Sequence, residues 1–439
     1  MTEKRLYKDV KYEIDSLKTA LLVGGYHSSS DIDLCRDYLD ELGSLAKTYG
    51  FEIVLKESCP LRGIDAGFYL GRGKVQELFE KAQELQADVI IFDEEISPQQ
   101  QRNLEEVFKR PVIDRTELIL EIFSQRAHTK EAKLQVELAK SSYQLPRLKR
   151  LWTHLSRQTA GGGGATKGAG ERQIEIDRRL IRKRVNRLKR EIKSIRSQRA
   201  LQRQGRLRHG IPTFAMIGYT NVGKSTLLNA LTDAQVLTED KLFVTLDTTT
   251  RKFSLPNHQK ILLVDTVGFI RKIPHTLIAA FKSTLEEAIC TDVLLHLIDI
   301  NHPLAESHAE ATYAVLKELS GDKKPIITIL NKVDVLDNPS LVARFKLKYP
   351  KVVPISALTQ EGFDILFQFM MQEIQCLRKV VKIRVPQREY GALHLLMKEG
   401  KMMHQEYDEN DILIEMQIPI HLEPKIEKYI EHDSPCSNS

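Results

Sequence analysis

The chain has 439 residues, 42% hydrophobic and 28% charged, with a net charge of +6, which fits a soluble globular protein of two or three domains. No apolar run approaches the roughly 18 residues that a membrane span needs, and Met1-Thr2-Glu3-Lys4-Arg5 has no apolar stretch behind it to act as a signal peptide. The five cysteines are dispersed, with no CxxC pair, which argues against a disulfide framework or a zinc site.

Along the chain, Ala20–Val23, Glu52–Leu55 and Asp88–Phe92 read as strands. Asp31–Tyr49, Gly73–Leu85 and Ser97–Lys109 read as helices. This alternation predicts a small N-terminal α/β domain with parallel strands over residues 1–128. Gly71-Arg72-Gly73 does not follow a strand as a phosphate-cradling turn would.

Residues 129–207 carry a helical pattern. Leu134, Leu138, Leu145, Leu148, Trp152 and Leu155 recur at three- and four-residue multiples, as do Ile174, Ile181, Val185, Leu188, Ile192 and Ile195. Pro146 is expected to kink or break the first helix. The glycine-rich run Gly161–Gly170 between them predicts an antiparallel hairpin with a flexible tip. Arg147–Arg208 holds 20 Lys or Arg against 4 Asp or Glu, while the rest of the chain is net acidic at −10. So local an excess calls for a polyanionic partner rather than mere solvation.

After a linker at Gln204–Pro212, a second strand–helix alternation fills residues 208–378. A small α+β domain with strands at Val380–Val385 and Ile412–Met416, and a disordered tail, occupies 379–439.

The chemistry lies in the third stretch. The strand Phe214–Ile217 runs into Gly218-Tyr219-Thr220-Asn221-Val222-Gly223-Lys224-Ser225 and then a helical pattern. The glycines let backbone amides turn toward phosphates at a helix N-terminus. Lys224 reaches the terminal phosphates, and Ser225 offers a hydroxyl to Mg²⁺. Asn221 is a candidate contact for a monovalent cation such as K⁺, or simply shapes the loop. A second strand, Ile261–Val264, delivers Asp265-Thr266-Val267-Gly268, with Asp265 beside the metal and the Gly268 amide facing a γ-phosphate. A third ends in Asn331-Lys332-Val333-Asp334. A buried Asp334 carboxylate would accept from guanine N1–H and its exocyclic amine, which adenine cannot match. Ser356-Ala357-Leu358, after the next strand, would back guanine O6 with backbone amides. In the loop Phe243-Val244-Thr245-Leu246-Asp247, Thr245 is the first candidate to bind Mg²⁺ while the γ-phosphate is present, with Thr249 the alternative. Where many GTPases carry Gln after DxxG, this chain has Phe269, which cannot polarise water. Intrinsic hydrolysis is therefore expected to be slow, and no catalytic residue is identified.

Together these elements resemble the translation-factor-related class of P-loop GTPases, and more narrowly the HflX family of ribosome-associated GTPases. Outside the nucleotide motifs the resemblance rests on Asp93-Glu94-Glu95-Ile96-Ser97-Pro98-Gln99-Gln100-Gln101-Arg102-Asn103-Leu104-Glu105, on Val112–Thr116 and on Lys133–Ala139. Inside them it rests on Thr245-Leu246-Asp247 and on Asp265–Arg271. The glycine loop departs from the family at Ala169, where proline is usual. The resemblance implies Mg²⁺-dependent hydrolysis of GTP to GDP and binding to the large ribosomal subunit, with the basic hairpin on ribosomal RNA. It also implies a role in splitting stalled ribosomes or in assembly. A monomer in the cytoplasm is expected, with peripheral membrane contact left open. A GTPase of RNA modification would instead need a reactive cysteine near the C-terminus, and Cys376 and Cys436 lie in no such motif.

Overall fold

The computed structural model describes residues 17–159, 167–207, 211–232, 242–243, 246, 249–272, 288–321, 323–386, 401–408, 411–419 and 426–430. The chain packs as two compact units that do not follow linear boundaries. Met1–Arg196 is joined in the first by Leu237–Asp247 and Val267–Leu285. The second comprises Ser197–Val236, Thr248–Thr266 and Glu286–Ser439. Two stretches of the expected nucleotide-binding segment are thus grouped with the N-terminal unit.

The first unit has a parallel sheet in the order β2-β1-β3-β4, from β1 (Thr19–Tyr26), β2 (Glu52–Pro60), β3 (Val89–Phe92) and β4 (Val112–Asp114). Leu21, Leu22 and Val23 of β1 and all of β3 are buried, as strands covered on both faces must be. Helices α1 (Ile32–Tyr49), α2 (Arg72–Glu84), α3 (Pro98–Phe108) and α4 (Arg115–Arg126) connect or follow them. Gly50 ends α1 in the left-handed conformation, φ 117, a common helix stop. Ser97 starts α3 through a capping box with Gln100, and Pro98 stands in the first turn. The sequence pattern did not reveal β4 or α4. β4 is three residues long, and α4 buries Leu118, Ile119, Leu120, Ile122 and Phe123, so neither shows a clean period.

Two long helices follow, α5 (Lys130–Thr159) and α6 (Lys167–Leu207). Of the expected kink or break at Pro146, the break does not occur, since α5 runs through it. It lies on an exposed face, where water can take the carbonyl it leaves unpaired, while Tyr143 and Arg147 anchor the helix from the buried side. Lys167–Gly170 belong to α6, so the connection is shorter than the glycine run; residues 160–166 lie outside the described residues. Leu134 and Leu138 pack against Val185, Leu188 and Ile192, and Arg184 Nε donates to Glu137 Oε1 at 2.6 Å. Leu138 and Leu188 stand equally far from the connection, about 30 Å along each helix, so the pairing is antiparallel.

The second unit has a six-stranded sheet in the order β10-β9-β8-β5-β7-β6. Its strands are β5 (Thr213–Gly218), β6 (Thr249–Ser254), β7 (Lys260–Asp265), β8 (Val293–Asp299), β9 (Ile326–Asn331) and β10 (Val352–Pro354), and only β6 runs antiparallel. Helices α7 (Lys224–Thr232), α8 (Ala305–Glu318), α9 (Ser340–Lys348) and α10 (Phe363–Cys376) accompany it. β11 (Arg378–Pro386), β12 (Lys401–Asp408) and β13 (Asp411–Pro419) form a separate antiparallel sheet, β11-β13-β12. β12 escaped the sequence pattern because it is an edge strand with Met402, Met403 and Tyr407 exposed, and a register shift between Met402 and His404 breaks its alternation. Among the described residues, no helix is long and apolar enough to cross a membrane.

A buried polar knot fastens α5 to the first sheet. Arg147 Nη2 donates to Ile96 O at 2.8 Å and to Asp114 Oδ2 at 3.3 Å, and its guanidinium lies over the Tyr143 ring at 3.6 Å. Burial pushes the Asp114 carboxyl up to about 7, against the pull of Arg147. We predict that Arg147→Met destabilises the chain by about 3 kcal/mol at pH 8, because an uncompensated buried charge remains. The loss should shrink toward pH 6. A carboxyl whose folded pKa lies above its unfolded value favours the fold when protonated, and that contribution disappears as pH rises through the folded pKa. Equal losses at both pH values in denaturant titrations would refute the coupling.

Candidate nucleotide site

The site in the second unit grows from the carboxyl ends of β5, β7 and β9, where open parallel sheets bind ligands. β5 hands over to the P-loop at Gly218, φ 152, where an added Cβ would stand 2.4 Å from Leu297 O of β8. Gly223, φ 93, is equally constrained: a Cβ there would meet Asn331 Nδ2 at 2.3 Å. Only glycine fits either place. Asn221 is exposed with φ 62, the left-handed conformation that asparagine tolerates, as a loop-shaping residue requires.

Lys224 opens α7 and is buried, with Nζ donating to Gly218 O at 3.1 Å and Tyr219 O at 2.6 Å. Burial pushes its pKa down to about 8, while Asp265 pulls the other way. Ser225 Oγ donates to Asp265 Oδ2 at 3.2 Å, which puts two hard oxygens side by side. Asp265 is fully buried. Its position follows from register, since β5 and β7 pair with Met216 opposite Asp265. The next residue ties the strands further, as Thr266 Oγ1 donates to Met216 O at 2.6 Å.

Asn331 links three motifs. Its Nδ2 donates to Val222 O at 2.8 Å and its Oδ1 accepts from Ala357 N at 2.9 Å. Ser356 is buried and its amide donates to Glu361 O at 3.1 Å, whereas Leu358 is exposed. Lys332 takes a left-handed backbone, φ 67, with Val333–Val335 following as a 3-10 turn. Asp334, expected to be buried, is exposed, because it stands on that turn at the open end of the sheet.

Several contributors carry no motif. Asp299, at the end of β8, pairs with Lys332 Nζ at 2.6 Å, and Asn301 Nδ2 donates to Lys332 O at 2.6 Å. An aspartate closing a hydrophobic strand, as Asp265 closes β7, was the available signal for the first. Tyr219 of the P-loop stacks flat on His308 of α8, centroids 3.6 Å apart. His296 of β8 lies beside Ile217 in register, edge-on to Tyr313. Burial, helped by the charge of Lys224, pushes its pKa down to about 3, so it is a neutral packing group.

The remaining predicted residues fall elsewhere. Phe243, Leu246, Val267 and Gly268 belong to the first unit, where Phe243 packs edge-on against Phe123 at 4.6 Å and Leu242 N donates to Thr48 Oγ1 at 3.2 Å. Val244, Thr245 and Asp247 lie outside the described residues. Thr249 opens β6 directly opposite Asp265, and its buried Oγ1 has no partner among the described residues. Phe269 is buried, 3% exposed, and so has no access to a water that it could not polarise in any case.

The Lys224 environment gives a prediction. Above pH 8 a growing fraction of this lysine is neutral, and a polyphosphate beside it restores the ammonium form. GDP binding should therefore take up a large part of one proton at pH 8.5–9 and almost none at pH 6.5. Calorimetry in buffers of different ionisation enthalpy measures this directly, and zero uptake at pH 9 would contradict the assignment.

Three family profiles match in succession: GTP-binding GTPase N-terminal over residues 36–124, GTP-binding GTPase Middle Region over 126–206, and 50S ribosome-binding GTPase over 213–332. The chain is 48% identical over 419 residues to the GTPase HflX of Chlamydia pneumoniae, covering 95% of this chain and 89% of that one. It is 44% identical over 396 residues to that of Lacrimispora saccharolytica, covering 90% and 92% respectively. With the Escherichia coli K12 protein it shares 38% over 405 residues, covering 92% and 94%. Motif geometry and full-length similarity agree: the chain belongs to the HflX family and is a GTP-binding, GTP-hydrolysing protein.

Proposed function

We propose that this GTPase works on the large ribosomal subunit, with nucleotide state governing its attachment, in splitting stalled ribosomes or in subunit assembly. The observation that carries the reading is the outward face of α6. Arg179, Arg182, Lys183, Lys189, Arg190 and Lys193 are exposed there, while Leu188 and Ile192 on the other side are buried. A rigid cationic helix suits a phosphate-dense RNA surface. Arg184 is excluded from that face by its bond to Glu137. A cytoplasmic, ribosome-associated monomer fits this role.

Within the nucleotide site, Lys224 neutralises the terminal phosphates and the P-loop amides of Gly218–Ser225 cradle them. The oxygens of Ser225 and Asp265, with the Thr249 hydroxyl (unpartnered among the described residues) opposite Asp265 in register, fit Mg²⁺, which prefers hard oxygen ligands and keeps several waters. When bound, the ion offsets charge between the phosphate oxygens. Thr245 remains the first candidate for the γ-phosphate-dependent ligand. Asn221 is the residue beside which a K⁺ would lie. Asn331 holds the P-loop to the Ser356–Leu358 turn, so phosphate and base ends are positioned as one body. Asp299 and Asn301 fix Lys332, and Asp334 reads the guanine edge. With Phe269 in place of Gln, the group that orients the attacking water comes from outside this position, and ribosomes are expected to stimulate turnover.

Two measurements test this. Asp334→Asn should weaken GTP binding by about 100-fold, the loss of hydrogen bonds to a charged acceptor, and gain affinity for xanthosine triphosphate. Unchanged base preference would remove Asp334 from the site. Reversing Arg182, Lys183 and Lys189 to Glu should lower affinity for large subunits and flatten the slope of log K against log salt by roughly 2 to 3, with GDP affinity intact. An unaltered slope in sedimentation assays would show that α6 is not the contact.

A further inference from the structure

His308, in the first turn of α8, belongs to no nucleotide motif, yet its ring lies flat on a P-loop side chain. The planes of His308 and Tyr219 differ by 4°, with centroids 3.6 Å apart. Both residues are buried. His302 packs against the same His308 ring, centroids 4.3 Å apart and tilted by 42°. The His302 ring is itself oriented, because Leu304 N donates to its Nδ1 at 3.0 Å. Pro303 stands between these two residues and stiffens the turn through its fixed φ. All of them lie in the second unit, with the P-loop.

The P-loop needs such a support. Asn221 has φ 62, and it stands between Gly218 and Gly223 with φ 152 and 93. Glycine loses more conformational freedom on ordering than any other residue, and a left-handed asparagine is held by its surroundings. The far end of the loop is tied by Asn331 Nδ2, which donates to Val222 O at 2.8 Å. Toward the near end, Thr220 Oγ1 is buried with no partner among the described residues. What fastens that end is the Tyr219 ring, resting on His308. Tyr219 also supplies the closer of the two carbonyls that take the Lys224 ammonium, at 2.6 Å against 3.1 Å for Gly218 O. The connection that carries His302 begins with Asp299 and Asn301, which hold Lys332. One short stretch thus braces both the base motif and the phosphate loop.

We infer, on the reading of Gly218–Ser225 as the phosphate loop, that His308 is a positioning residue for diphosphate binding. Stacked on Tyr219, it holds the near end of the loop in its binding conformation and keeps Lys224 directed at the terminal phosphate. The stack supplies preorganisation: part of the ordering cost is met before the nucleotide arrives. The flat face of the imidazole does this, so another flat ring serves equally. The guanine end is held by other bonds, so the loss on removing His308 falls on what the second phosphate adds to affinity.

The test is a competition titration of GDP and GMP against fluorescent GDP on the full chain. Wild type, His308→Ala, His308→Phe, Tyr219→Leu and the double variant His308→Ala with Tyr219→Leu are compared after thermal melts have verified folding. His308→Ala should weaken GDP binding by about fivefold, the size of one aromatic stack, and leave GMP binding unchanged. The preference for GDP over GMP then falls by the same factor. His308→Phe should restore the wild-type preference. Tyr219→Leu should lower it as His308→Ala does, and the double variant no further than the larger single change, because the two residues form one contact. An unchanged preference in His308→Ala would overturn the inference, as would equal losses for GDP and GMP, the mark of general loosening. A His308→Phe that behaves like His308→Ala would overturn it too, by giving the role to a ring nitrogen. Should His308→Ala not fold, Tyr219→Leu carries the same comparison with the same outcomes. Lys224→Ala tests the phosphate loop separately: a wild-type preference for GDP that survives this change would remove the loop assignment itself.

Discussion

Two opposite charges with almost no access to water, Lys224 at the start of the helix that follows β5 and Asp265 at the end of the neighbouring parallel strand β7, face each other's field, and the rest of the second unit serves to keep them there. Each ion costs several kcal/mol to bury in the absence of compensation. Their mutual attraction is incomplete, since burial still outweighs Asp265 in setting the lysine's pKa. Lys224 draws on the carbonyls of Gly218 and Tyr219, and Asp265 on the hydroxyl of Ser225. A site so poised gains most from a ligand carrying several negative charges and a divalent cation, because both buried ions are then neutralised together.

Much of this was legible in the sequence because phosphate binding is done by backbone. Gly218 and Gly223 are glycines for steric reasons that act over 2–3 Å, and Lys224 and Ser225 must open the helix that follows. Such constraints leave a contiguous signature. Asp265 and Asn331 were legible for a related reason: each closes a hydrophobic strand, and parallel register carries both to one edge. Asn301 and His308 act across the fold with no fixed spacing, and only coordinates reveal them. The same holds for Pro146, where exposure of one helix face decides between a break and a continuous helix.

Least legible was the division of the chain. Composition and alternation placed the residues that follow P-loop and DxxG in one nucleotide-binding domain. Packing assigns Leu237–Asp247 and Val267–Leu285 to the other unit. Hydrophobic patterning shows that a segment is buried, not against what: Phe243, Val267, Phe269 and Ile270 are ordinary apolar residues by type, and the bonds of Arg271 span 178 positions of sequence to Asp93 and 230 to Glu41.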